Sequence, residues 1–194
     1  MGDKHFLNLE QYQQLEKIGK GQFGVVYKVK DKVSGEILAA KISLSVIELN
    51  DDSKTLTKNL IREVNIISKL NHPSIVKFVG FSRYDFHEYP KPVIITEIMT
   101  GGSLQDLIEL ERRGCSNSKW NDTRKLITIY GLATAMQYLH YKGVTHQFLT
   151  PYKVLFDKFF QPHVTDYWIS SYLPKGSQQN SSFGLNSIYA APEC

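Results

Sequence analysis

A glycine-rich turn between two strand patterns constrains the fold more than any other feature of this sequence. Gly19, Gly21 and Gly24 have the spacing G-x-G-x-x-G, and Val25–Tyr27 continues a strand pattern beyond them. A dinucleotide-binding turn of this spacing leads from a strand into a helix. Here the turn joins strand to strand, so the motif predicts a β-hairpin whose backbone N–H groups can approach phosphate oxygens. A glycine-rich hairpin without a ligand is the alternative.

The second constraint is a lysine within an apolar strand pattern. Lys41 follows Leu38, Ala39 and Ala40, and a buried ammonium is costly unless its charge is paired. Glu63 is the predicted partner, because it lies beside the apolar face of a predicted helix that carries residues 60, 64 and 67. The alternative is a lysine that reaches water from an edge strand, with Glu63 solvated.

The remaining pattern predicts a β-rich part followed by a mainly helical part. Residues 11–48 are rich in Val, Ile and Tyr and predict three antiparallel strands, with a turn at Val33–Glu36. The other predicted elements are strands at Ile75–Tyr84 and Pro92–Ile98, helices at Leu104–Arg112 and about Asp122–His140, short strands at Lys153–Phe156 and His163–Thr165, and a polar loop over Ser170–Ser187.

Two details of the helical part are predicted as well. The segment Thr100–Ser103 contains two glycines and predicts a flexible joint, in which Ser103 is the N-cap of the first helix. In the longer helix, apolar spacing predicts four residues that face the core, namely Leu126, Ile129, Ala133 and Met136.

Composition and charge argue against several classes of protein. The formal net charge of +4 is small and the basic residues are dispersed, which does not indicate a nucleic-acid-binding protein. No apolar run is long enough to span a membrane, and the N-terminus lacks the apolar segment of a signal peptide. Cys115 and Cys194 do not form the pattern of a disulfide framework, which predicts a reducing, cytoplasmic location.

The order of these motifs resembles that of the protein kinase family. The matching elements are the glycine turn, the V-A-I-K element at Leu38–Lys41, the helix residue Glu63, the gatekeeper and hinge segment at Ile94–Met99, and A-P-E at 191–193. The resemblance implies an α+β, bilobal fold with a β-rich N-lobe that carries one long helix and a partial, mainly helical C-lobe. It places the N-lobe at 1–97, the hinge at 98–102 and the partial C-lobe at 103–194. The family pattern continues with further helices, so we expect residues 1–194 to form an incomplete protein kinase domain.

The resemblance also implies an ATP site between the lobes. Lys41, paired with Glu63, would hold the α- and β-phosphates. Thr96 corresponds to the gatekeeper, and the backbone of Glu97 and Met99 would contact adenine. The implied nucleotide-binding residues are Ile18, Gly19, Gly21, Gln22, Phe23, Gly24, Val26, Ala39, Lys41, Glu63, Thr96, Glu97, Met99 and Leu155, of which Val26, Ala39 and Leu155 would enclose the adenine ring.

The catalytic loop departs from the family pattern H-R-D-L-K-P-x-N. Residues 146–153 read H-Q-F-L-T-P-Y-K, and the matching His, Leu and Pro establish the register. Phe148 therefore stands where the family has the aspartate that accepts the substrate hydroxyl proton, and a phenyl ring cannot accept a proton. Gln147, Thr150 and Lys153 replace an arginine, a lysine and a metal-binding asparagine. We therefore expect no intact catalytic residue in this loop.

The metal-binding triplet D-F-G is partly retained as Asp166-Tyr167-Trp168. Asp166 is the predicted metal ligand, with a structural strand-end aspartate as the alternative, and Tyr167 can fill the apolar slot of the family's Phe. Trp168 adds a large ring in place of glycine. Because a cation at position 153 would repel a metal ion, we expect Mg²⁺ binding to be weakened and Lys153 to supply some of the missing positive charge.

Three functions remain open from the sequence. The first is a pseudokinase that binds ATP and acts on protein partners as a scaffold or allosteric regulator in phosphorylation signalling. The second is a weakly active or unconventional ATP-dependent protein kinase. The third is an interaction module without nucleotide, in which Trp168 fills the pocket. A shift of the unfolding temperature by ATP, with and without Mg²⁺, separates the third function from the others.

Overall fold

The computed structural model describes residues 5–21, 24–44, 64, 67–115, 118–146 and 148–167. Several predicted features lie outside the described residues, namely Gln22, Phe23, Glu63, Gln147, Trp168, the polar loop at 170–187 and the A-P-E motif at 191–193.

A five-stranded antiparallel sheet forms the first part of the structure. Its strands are β1 (Tyr12–Gly21), β2 (Gly24–Asp31), β3 (Ile37–Ser43), β4 (Phe78–Ser82) and β5 (Val93–Glu97), in the spatial order β1-β2-β3-β5-β4. The predicted turn between β2 and β3 is present. Gly35 in this turn has a φ of 75°, a backbone conformation that favours glycine. All five strands predicted in this part are therefore confirmed, the last two with shorter bounds.

The second part contains two described helices and a small hairpin. The helices are α1 (Leu104–Arg112) and α2 (Asp122–Tyr141), and the hairpin consists of β6 (Val154–Phe156) and β7 (Pro162–Val164). The predicted N-cap of α1 is confirmed, since the Ser103 hydroxyl accepts a hydrogen bond from the Asp106 N–H and the Asp106 carboxylate accepts one from the Ser103 N–H. Among the described residues, no helix combines the length and apolarity that crossing a membrane requires.

A hydrophobic core connects the sheet with the second part. Phe81 and Ile94 come from the sheet, Leu139 from α2, and Val164 and Tyr167 from the end of the hairpin. A second cluster covers one face of the sheet and comprises Leu9, Tyr12, Val29, Leu38, Ala40, Val93 and Ile95. The shared core holds the two parts in one arrangement, so the cleft residues between them have defined positions.

The joint at Thr100–Ser103 is bound to β6. The Gly101 N–H donates to the Phe156 carbonyl at 2.8 Å, and the Phe156 N–H donates to the Gly102 carbonyl at 2.9 Å. A Cβ at Gly101 would lie 2.8 Å from the Phe156 Cβ, and Gly102 has a φ of 79°. The glycines are therefore explained by close approach and by backbone conformation, which the prediction of a flexible joint had not considered.

The predicted inward face of the longer helix is wrong for three of its four residues. Leu126 and Ile129 are each 66% exposed, and Ala133 is exposed as well, whereas Met136 packs against the core. The buried face carries the smaller residues Thr128, Gly131 and Ala135 together with Leu139. A Cβ at Gly131 would lie 2.8 Å from Pro162, the first residue of β7, so close packing selects the face with small side chains.

Candidate functional site

One face of the sheet carries a row of the predicted nucleotide-binding residues. Val26 pairs with Lys41 across β2 and β3, and Ala39 pairs with Thr96 across β3 and β5. Directly paired residues lie on the same face of a sheet, and so do residues two apart on one strand. The four side chains therefore share the face opposite to Leu38, which the second core cluster covers.

The glycine turn closes the hairpin of β1 and β2. Gly19 pairs with Val26 and Gly21 pairs with Gly24, so the predicted pairing of the strands on both sides of the turn is confirmed. A Cβ at Gly24 would lie 2.5 Å from the Ile42 carbonyl oxygen, whereas a Cβ at Gly21 would meet no atom of the described residues within 4 Å. Gly24 is thus required by packing, while the space at Gly21 is open to a ligand. Ile18 beside this turn is 46% exposed.

The last two residues of β5, Thr96 and Glu97, lead into the hinge segment. The Thr96 side chain is buried, and its hydroxyl donates to the Glu97 carbonyl at 3.0 Å. The Glu97 carboxylate accepts from the Lys77 N–H at 2.7 Å, which ties the end of β5 to the chain before β4. Met99 and Leu155 are partly exposed, and Leu155 lies in β6 beyond the hinge.

Three charged side chains meet between the two parts of the structure. The Lys41 ammonium lies 2.6 Å from Asp166 Oδ1, and the Lys153 ammonium contacts Asp166 Oδ2. The side chains are largely buried, with exposed fractions of 17% for Lys41, 21% for Lys153 and 8% for Asp166. We call these three residues the ionic cluster. Both carboxylate oxygens of the cluster accept from an ammonium group.

The β6–β7 hairpin positions two members of the ionic cluster. Val154 pairs with Val164, and the Thr165 N–H continues the ladder by donating to the Lys153 carbonyl at 2.9 Å. Asp166 follows immediately, with a φ of 63° that aspartate tolerates better than most residues. The hairpin register therefore brings Lys153 next to Asp166, although 13 positions separate them in the sequence.

The charges of the ionic cluster determine the direction of its pKa shifts. Burial by itself would raise the pKa of Asp166, but the charges of Lys41 and Lys153 and their hydrogen bonds outweigh it and hold that pKa below its ordinary value. Burial lowers the pKa of Lys41, and Asp166 opposes this effect while Lys153 adds to it. The pKa of Asp166 is thus lowered by the two lysine charges, whereas that of Lys41 is lowered chiefly by burial. The formal charges of the three residues in the cluster sum to one positive charge.

The residues present do not fit a magnesium ion at Asp166. Mg²⁺ binds carboxylate oxygens as a cation, and both Asp166 oxygens lie against lysine ammonium groups, whose charges would repel it. Within the described ranges, no group of three or more His, Cys, Asp or Glu side chains could hold a metal ion. The role of Asp166 as a metal ligand stays a prediction, and the two ammonium groups beside its carboxylate disfavour a cation there.

His146 connects the chain before the hairpin with the end of the hairpin. Its ring is buried, Nε2 lies 2.8 Å from the Thr165 carbonyl, and Nδ1 accepts from the Phe148 N–H at 3.3 Å. These partners require a neutral ring with its proton on Nε2. Burial lowers the pKa of His146, with the hydrogen bond to Thr165 acting in the opposite direction. The Phe148 side chain packs against the shared core.

Tyr167 fills an apolar position, as predicted. Its side chain is fully buried in the shared core with Phe81, Ile94 and Val164. Its hydroxyl donates to the Val76 carbonyl at 3.0 Å, which satisfies the polar atom that distinguishes tyrosine from phenylalanine. The sequence had not indicated Val76 as the partner, because the two residues are 91 positions apart.

The sequence matches the protein kinase domain family over residues 12–194. The chain belongs to this family. The bilobal kinase fold inferred from the motifs is thereby confirmed, and the five-stranded sheet with its partial helical lobe agrees with it.

Three curated relatives illustrate the similarity. The Aurora kinase of Saccharomyces cerevisiae is 29% identical over 189 residues, which cover 96% of this chain and 47% of that protein. The Aurora kinase of Candida glabrata is 32% identical over 190 residues, covering 96% and 48%. The human dual specificity testis-specific protein kinase 2 is 28% identical over 183 residues, covering 92% and 29%. The chain thus spans about half the length or less of these relatives.

Proposed function

We propose that this kinase domain is a pseudokinase, which binds ATP in its cleft and acts through protein partners rather than by phosphate transfer. The observation that carries the proposal is Phe148. In the register set by His146 this residue occupies the position of the family's general base, and its ring packs against the shared core. A general base must accept a proton from the attacking hydroxyl, and a phenyl group has no atom that can do so.

Asp166 is a poor substitute for the missing base. Both of its oxygens accept from ammonium groups, and those groups hold its pKa below the ordinary value. A carboxylate with a lowered pKa in two ion pairs has little tendency to take a further proton. Asp166 therefore does not take over the role of the family aspartate that Phe148 replaces.

ATP binding is supported by the retained half of the site. Lys41 lies on the same sheet face as Val26, Ala39 and Thr96, and the space at Gly21 is open. Among the described residues, the ionic cluster has one excess positive charge where family members hold phosphates, and an anionic ligand would balance it. The domain would thus bind the triphosphate, and nucleotide binding would stabilise the arrangement that partners recognise.

Two measurements test this proposal. We expect ATP to raise the unfolding temperature, because a ligand that binds the folded state stabilises it, and Lys41→Met to abolish that rise. We expect no transfer of labelled phosphate to a general protein substrate or to the domain itself. Transfer that disappears in Lys41→Met would show an active kinase. The absence of any ATP effect on unfolding would instead favour an interaction module without nucleotide.

A further inference from the structure

Lys153 is held in its position by the backbone around it. It is the last residue of a single 3₁₀ turn, Pro151–Lys153, and its N–H donates to the Thr150 carbonyl at 2.8 Å. Its own carbonyl accepts from the Thr165 N–H at 2.9 Å. The side chain therefore begins from a fixed point beside Asp166, and its contact with the carboxylate differs from that of a mobile surface lysine.

The contact places a cation on the carboxylate that is the predicted metal ligand. Asp166 accepts from Lys41 through one oxygen and from Lys153 through the other. A metal ion at these oxygens would lie beside two ammonium groups, whose positive charges would repel it in a largely buried site. An anion meets no such repulsion from the ionic cluster, whose two lysines exceed its aspartate by one positive charge when only described residues are counted.

We propose that Lys153 replaces the metal ion in this domain, so that the cleft binds a nucleoside triphosphate as the metal-free anion. This inference rests on the proposed ATP binding and specifies the form of the ligand. Lys153 and Lys41 share the neutralisation of Asp166, and both ammonium groups can donate to phosphate oxygens as charge-assisted hydrogen bonds. The protein itself thus provides the positive charge that Mg²⁺ brings to the phosphates in active kinases.

Titration calorimetry of the 194-residue chain with ATP tests the inference, once in EDTA and once in excess Mg²⁺. We expect the wild-type Kd for ATP to change by less than about threefold between the two buffers. For Lys153→Asn we expect Mg²⁺ to increase the affinity for ATP by about tenfold or more. Lys153→Arg retains the charge and should behave as the wild type. Lys125→Asn is the matched control, since Lys125 forms ion pairs with Glu111 and Asp122 on the surface.

The outcomes distinguish this inference from the proposed function. Wild-type binding that is about tenfold tighter with Mg²⁺ than in EDTA overturns the inference and leaves ATP binding intact. No heat of binding in either buffer overturns the ATP-binding proposal and this inference together. If Lys153→Asn does not fold, the comparison of the two buffers for the wild type and Lys153→Arg still decides. Mn²⁺ titration followed by electron paramagnetic resonance adds an independent readout, with tight Mn²⁺ binding by the nucleotide-free wild type counting against the inference.

Discussion

Asp166 should contribute strongly to stability, because it is the anion that two buried cations share. In Asp166→Asn the carboxylate becomes a neutral amide of nearly the same shape, while Lys41 and Lys153 remain opposite each other. Removing one member of a buried ion pair costs about 3–5 kcal/mol, chiefly because a charge is left buried without a partner. The lysine side chains are 17% and 21% exposed and can turn partly towards water, so we expect about 3 kcal/mol, near the lower limit.

Urea denaturation at neutral pH measures this loss as a shift of the unfolding midpoint. The double variant Asp166→Asn with Lys153→Asn provides the control, because it removes one of the two opposed cations while keeping the amide. We expect the double variant to recover about 1–2 kcal/mol of the loss, a coupling typical of residues in direct contact. A loss below about 1 kcal/mol in the single variant, or no recovery in the double variant, would refute the reasoning from shared charge.

Three further predictions follow from the site and the core. The pKa of His146 in the folded protein is lowered below its ordinary value of 6.5, so the unfolded state binds more protons. The contribution of His146 to the free energy of unfolding is therefore complete above about pH 6.5. Below that pH it falls by at most about 1.4 kcal/mol per pH unit, until the pKa of the folded state is reached. Urea titrations at pH 7.5 and 5.5 measure this loss, and His146→Asn should remove that part of the pH dependence. Tyr167→Phe leaves the Val76 carbonyl without its donor at 3.0 Å, which should lower the free energy of unfolding by about 1–2 kcal/mol; a change within experimental error would argue against this hydrogen bond. Gly101→Ala places a Cβ 2.8 Å from Phe156 and should cost about 1–3 kcal/mol in the same assay. Gly21→Ala, whose Cβ would meet no atom of the described residues within 4 Å, serves as the control that should lose much less.

The sequence by itself determined the features that depend on neighbouring residues. Strand patterns, the turn at Gly35, the N-cap at Ser103 and the hairpin around Gly21 were all predicted from residues a few positions apart. The position of Phe148 also required no structure, because matching residues on both sides establish the register. Such features rest on backbone conformation and short-range hydrogen bonds, which local residue types largely specify.

Tertiary structure decided the features that depend on packing between distant segments. Apolar spacing alone did not identify the buried face of α2, because the close approach of Pro162 selects small residues such as Gly131 over Leu126. The contact of Lys41 with Asp166 spans 125 positions, and that of Lys153 depends on the register of the hairpin. The sequence indicated that Lys153 would repel a metal ion, but the folded chain was needed to place its charge on the carboxylate. Electrostatic interactions depend on distance in space and on burial, and both are properties of the assembled fold.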